Sequence, residues 1–118
     1  MSLEKHQELR NRTKGFALRI IRMTQAMPGT REANVINNQI LRSATSMAAN
    51  YRAVGRARSK AEFIAKLGVV IEESDETVFW LELFGESGIV TPDKLRDLLA
   101  EANQLLTIFS ASRRTAKA

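Results

Sequence analysis

The chain has 118 residues, 44% of them hydrophobic, with 18 Lys/Arg against 13 Asp/Glu, one histidine and no cysteine. That length suits one domain with a single core, and the lack of cysteine excludes a disulfide framework and thiolate metal sites. The formal charge of +5 is unevenly spread: residues 1–60 carry twelve Lys/Arg and three acids, whereas residues 61–90 carry one Lys and seven acids.

The first periodic segment covers about residues 4–27. Leu9, Phe16, Ile20, Met23 and Met27 step by seven, four, three and four, which is the apolar face of a helix. Arg12, Arg19 and Arg22 form one stripe by their seven- and three-residue spacing, with Arg10 and Lys14 nearby. Pro28-Gly29 signals a turn. The second segment, 31–55, places Ile36, Ile40, Ala44, Met47 and Tyr51 on one face. Its hydroxyls at Ser43, Thr45 and Ser46 suit close helix packing. Arg52, Arg56, Arg58 and Lys60 then cluster around the next turn.

Ser59-x-x-Glu62 reads as a capping box opening the third segment, 60–86. Phe63, Leu67, Val70, Ser74, Thr77, Leu81 and Phe84 follow a heptad there. After the turn signal Gly85-Glu-Ser-Gly88, Thr91-Pro92-Asp93 supplies an N-cap and an N1 proline. The fourth segment, 92–112, carries Leu95, Leu98, Ala102, Leu105 and Phe109 on one face. Residues 113–118 form a small, basic tail expected to fray. Gly15 and Gly68 sit inside helices at a cost of about 1 kcal/mol each relative to alanine, and close helix approach is the expected reason.

There is no strand-like alternation. Four helices joined by short turns predict an all-α, antiparallel up-down-up-down four-helix bundle in one domain, 1–118. With the turn around Gly55 to Ser59, partners on helices two and three sum to about 115 in residue number. Arg42 then falls opposite Glu73, Asn38 or Gln39 opposite Glu76, and Tyr51 opposite Ile64. Arg42 is expected to pair with Glu73, shared with Glu76, and to set register.

Chemistry is sparse. Glu73 and Glu76 are an i, i+3 acid pair, but a di-iron bundle also needs Glu-x-x-His motifs, and the lone His6 has no partner at metal-ligand spacing. Ser43, Thr45 and Ser46 have no histidine placed as a base. Gly55 stands alone, with no phosphate-cradling glycine loop. No enzyme activity, cofactor, metal or small-molecule substrate is expected. No apolar run reaches the ~20 residues of a membrane span, the polar start lacks a signal-peptide core, and a cytoplasmic location is expected.

Two uses of the charge compete. Basic and acidic helices can pair within or between subunits, or the arginines can meet nucleic acid. The candidates for nucleic acid are Arg12, Arg19, Arg22, Arg52, Arg56, Arg58 and Lys60. No aromatic interleaves with them, so contact with RNA or DNA is expected to be non-specific and salt-sensitive. Phe79 and Trp80 are adjacent and cannot both face one core. One of them is left for a subunit interface, where aromatics are enriched.

The run Gln39 to Asn50, QILRSATSMAAN, resembles the bacterial four-helix-bundle family of 23S ribosomal RNA intervening-sequence proteins. The family pattern there is Gln-Leu-Arg-Arg-Ala/Ser-small-Ser-apolar-small-Ala-Asn. The likeness continues through Tyr51-Arg52-Ala53, Phe63, Lys66-Leu67 and Glu73 to Leu83, and covers about residues 14–110. Ala48 stands where many relatives have proline, so the second helix is expected to be straighter. Arg52-Ala-Val-Gly55 replaces the relatives' Glu-Gly, so a role tied to that acidic residue does not transfer. The resemblance implies a ring-like homo-oligomer, a pentamer, with nucleic-acid contact as an accessory function. A protein-interaction scaffold is the alternative.

Overall fold

The computed structural model describes residues 2–118. Four helices follow in order: α1 (Leu3–Gln25), α2 (Arg31–Val54), α3 (Lys60–Glu86) and α4 (Pro92–Lys117). Each packs antiparallel on its chain neighbour, and α1 closes against α4 along the sparsest of the four seams. The result is an up-down-up-down bundle. Its long axis of 45 Å matches the roughly 40 Å expected of the 27-residue α3 at 1.5 Å rise per residue.

The helix starts follow local chemistry. The hydroxyls of Ser2, Thr30 and Ser59 accept from the backbone N–H groups of Lys5, Ala33 and Glu62, satisfying donors that have no intrahelical partner. The capping box at Ser59 is only half formed, because the Glu62 carboxylate lies 3.7 Å from Lys66 Nζ. Thr91 makes no side-chain cap bond, and Pro92 alone marks the start of α4. At the end of α3, Gly88 has φ 79°, which only glycine adopts without strain. That turn lets the Val90 N–H donate to the Phe84 carbonyl at 3.2 Å.

The core follows the periodic faces. Leu9, Phe16, Ile20, Ile36, Ile40, Ala44, Met47, Leu67, Val70, Leu81, Phe84, Leu95, Leu98, Ala102, Leu105 and Phe109 are buried. Val54, Val78 and Val90 join them from outside the heptads. Between α2 and α3 the core turns polar: Ser43, Ser74 and Thr77 are fully buried. The Ser43 and Thr77 hydroxyls are 2.9 Å apart, while Thr77 and Ser74 also donate to the Glu73 and Val70 carbonyls at 2.8 and 2.7 Å.

Outside this layer the Arg42 guanidinium bridges Glu73, at 3.3 Å, and Glu76. Gln39 Oε1 accepts from Arg42 as well, so Gln39 meets Glu76 through the guanidinium. Trp80 Nε1 donates to Glu76 at 3.2 Å.

Three expectations change. The tail is not frayed: α4 stays helical to Lys117, anchored by Arg113 Nε donating to the Ile64 carbonyl of α3 at 3.2 Å. Gly68 lies under that guanidinium, where a Cβ would meet Arg113 Nε at an ordinary contact distance of 3.5 Å and no helix backbone, so close helix approach is not its reason. Gly15 faces open space and serves no intrachain approach.

His6 packs on an aromatic ring. Its ring lies 5.0 Å from that of Tyr51, which stacks on Phe109 at 5.1 Å. His6 Nδ1 is 3.3 Å from the Tyr51 hydroxyl. A Cβ on Gly55 would fall 2.3 Å from His6 Nε2, so glycine at 55 is what admits the imidazole. Burial pushes the Tyr51 hydroxyl up to about 12. Burial first, and Arg10 second, lower the His6 pKa.

Two predictions follow from these contacts. Glu73 is largely enclosed, so Arg42→Ala leaves it without its cation and lowers stability by about 1–2 kcal/mol in urea unfolding; an unchanged midpoint refutes the clamp. Because His6 is held neutral, folding favours the deprotonated imidazole. Stability is complete above the unfolded-state value of about 6.5, falls as pH drops below it, and levels off below the lowered folded value. His6→Phe removes this component from the difference between wild-type and variant midpoints over pH 8 to 5.

Candidate functional site

With four antiparallel helices, the start of α1, the α2–α3 turn and the end of α4 meet at one pole. Two open clefts record the meeting. One, of about 430 Å³, lies among His6, Gly55, Arg58, Lys60 and Phe63. The other, of about 570 Å³, lies among Lys5, Leu9, Phe63, Ile108 and Thr115. The pole gathers Arg52, Arg56, Arg58 and Lys60, all exposed. Lys5 joins from α1, and Arg114 and Lys117 from α4, also exposed. Glu4, Glu8 and Glu62 are the acids of the same region. Among the described residues, no ion pair engages Arg52, Arg56, Arg58 or Lys60.

These cations do not all relate to the fold in the same way. Arg52 is in the last turn of α2, and Arg114 and Lys117 in that of α4, where positive charge complements the helix dipole. Arg58 and Lys60 flank the N-cap Ser59 of α3. There the dipole is positive, so these cations oppose it and contribute nothing favourable to the helix.

The arginines of α1 divide. Arg12 is spent on the α1–α4 seam: Nη2 donates to Glu101 Oε1 at 2.7 Å and Nε to Oε2 at 3.2 Å, with Gln104 at 3.1 Å. The Glu101 hydrogen bond raises its pKa. Arg19 and Arg22 are exposed, but Arg19 lies thirteen residues beyond His6, about 20 Å along the helix, and does not belong to the pole.

The remaining candidates occupy structural positions. Arg42, Glu73 and Glu76 form the α2–α3 clamp. Phe79 is 49% exposed, whereas Trp80 is half-buried and packs against the core; their rings meet edge to face at 4.9 Å. Thr45 donates to the Leu41 carbonyl, and Ser46 accepts from Asn50. Among the described residues no group of His, Asp and Glu is placed to hold a metal ion, and no helix is long and apolar enough to cross a membrane.

Lys5, Arg114 and Lys117 were not identified from sequence as companions of the turn cluster. Helix parity was the available signal, since an even number of antiparallel helices returns the end of α4 to the start of α1.

The geometry has a close counterpart. The structure is similar to the crystal structure of a protein of unknown function from the S23 ribosomal protein family of Bacteroides thetaiotaomicron. The TM-score is 0.85 at 28% identity, covering 93% of this chain and 98% of that one. No curated protein matches. The family model for the 23S rRNA-intervening sequence protein matches residues 5–111, nearly the whole bundle, and the chain therefore belongs to the 23S rRNA-intervening sequence protein family.

Proposed function

We propose that the protein is a non-enzymatic, homo-oligomeric accessory protein that binds nucleic acid, RNA foremost, through its basic pole. The observation that carries this reading is the pair Arg58 and Lys60 beside the N-terminus of α3. They oppose the dipole there, have no carboxylate partner among the described residues, and adjoin an open cleft. An anionic ligand would reverse that balance, because phosphate is favoured both by the cations and by the helix N-terminus.

Contact with the backbone rather than the bases suits the chemistry. Phe63 and His6 are both half-buried, so the pole offers no free ring for stacking. Repeating the pole in an oligomer would multiply weak phosphate contacts by multivalency, and a pentameric ring is the assembly that family resemblance implies. The non-enzymatic reading rests on what the reactive groups already do: Ser43 and Thr77 face each other in the core, and His6 is packed on Tyr51. A cytoplasmic location is part of the proposal.

A second reading, a protein-interaction scaffold without nucleic acid, is favoured by one separate observation: the exposed Phe79 on the acidic helix α3.

Electrophoretic mobility and anisotropy measurements with generic RNA and DNA separate them. With about four phosphates contacted per pole, affinity should fall on the order of 50- to 150-fold between 50 and 200 mM salt. Charge reversal at Arg52, Arg56 and Arg58 should abolish binding and leave the oligomer intact. Absence of binding at low salt overturns the nucleic-acid reading, and loss of the oligomer in the variant supports the scaffold.

A further inference from the structure

Two outward helix faces lack partners and are opposite in charge. On α3, Val69, Glu72, Asp75, Phe79 and Glu82 follow three- and four-residue steps, so they share a face. Val69 is 41% and Phe79 49% exposed. This helix is apolar over more of its circumference than one buried face requires, a pattern of elements with a second partner. On α1, Gly15, Leu18 and Arg22 share a face, bordered by Lys14 and Arg19. Leu18 is 42% exposed, and apart from Gly15's chain neighbours and its own helix backbone nothing lies within 4 Å of where a Gly15 Cβ would stand. That leaves a shallow, open spot beside an exposed leucine, ringed by three cations.

Within one bundle these faces cannot meet, because α1 and α3 occupy diagonal corners and each packs only on α2 and α4. We infer that the α3 face of one copy seats on the α1 face of a second copy. Phe79 lies over Gly15 and Leu18, with Glu72, Asp75 and Glu82 against Lys14, Arg19 and Arg22. Like faces are disfavoured, since α3 against α3 opposes acids and α1 against α1 opposes cations. The contact is therefore heterologous: each copy offers one face of each kind, and growth ends when a ring closes. This inference rests on the self-association proposed above and adds which surfaces meet. It also assigns Arg19 and Arg22 to assembly rather than to nucleic acid.

The test uses two variants of the full chain. Phe79→Arg spoils only the α3 face, and Arg19→Glu with Arg22→Glu spoils only the α1 face. All three positions are exposed, and circular dichroism with thermal melting verifies that each variant folds; Phe79→Leu, which keeps the apolar contact, should assemble as wild type. By light scattering, wild type is expected to be larger than a dimer, and each variant alone monomeric at the same concentration. An equimolar mixture should form a 1:1 pair and nothing larger, joined by the one intact face of each. Variants that keep the wild-type mass overturn the face assignment and leave self-association standing. Monomeric variants that fail to pair on mixing overturn the heterologous arrangement. A wild type that is monomeric at every concentration overturns the self-association reading itself.

Discussion

The contact between the Ser43 and Thr77 hydroxyls, fully enclosed between α2 and α3, constrains much of the bundle. A buried hydroxyl must find a partner within the protein. This layer does so at the intended helix pairing, where two small side chains meet and a neighbouring backbone carbonyl accepts the one hydroxyl proton left over. Sliding α3 by one helical turn would separate the pair and press larger groups into a narrow space. Register fixed here places Arg42 against Glu73 and Glu76 on the outside of the same seam, and sends the ends of both helices into the turn that carries the arginines. A polar layer can thus specify an arrangement without being its largest source of stability.

Much of the fold was legible because helical periodicity is a local signal. The faces of α2 and α4 are buried residue for residue, and the Arg42 pairing could be counted from the turn. What escaped depends on contacts distant in sequence. His6 and Tyr51 are 45 residues apart, and Arg12 and Glu101 are 89 apart; neither partner carries a mark that names the other. The end of α4 depends on such a distant contact too. Its composition suggests fraying, but a guanidinium docked on the carbonyl of a different helix holds it. The stripe Arg12, Arg19 and Arg22 was geometrically sound as a helix face, yet one member turns toward a neighbouring acid and leaves the other two outside.

Charge in this protein sorts by function once the helices are assembled. Arg12 and Arg42 close seams, Arg113 anchors a helix end, and Arg52, Arg114 and Lys117 stand where helix dipoles welcome them. The residues at odds with their surroundings are fewer, and they converge around the start of α3. Membership in the 23S rRNA-intervening sequence protein family gives this economy a context but no ligand, because the matched Bacteroides thetaiotaomicron protein is itself of unknown function.

The sparse seam between α1 and α4 has a bearing on motion. Segments with fewer packed contacts open more readily than the rest of a domain, and α1 meets α4 along the sparsest seam, bridged on its outside by the Arg12–Glu101 pair. On that ground α1, for all that Leu9, Phe16 and Ile20 are buried in the core, is the helix expected to open first. Because Ser2, Leu3 and His6 wall one cleft of the basic pole and Ser2, Lys5 and Leu9 the other, an excursion of α1 would unmake both. Amide protons of α1 would then exchange on a faster clock than those of α3, and the shape of the basic pole would keep time with them.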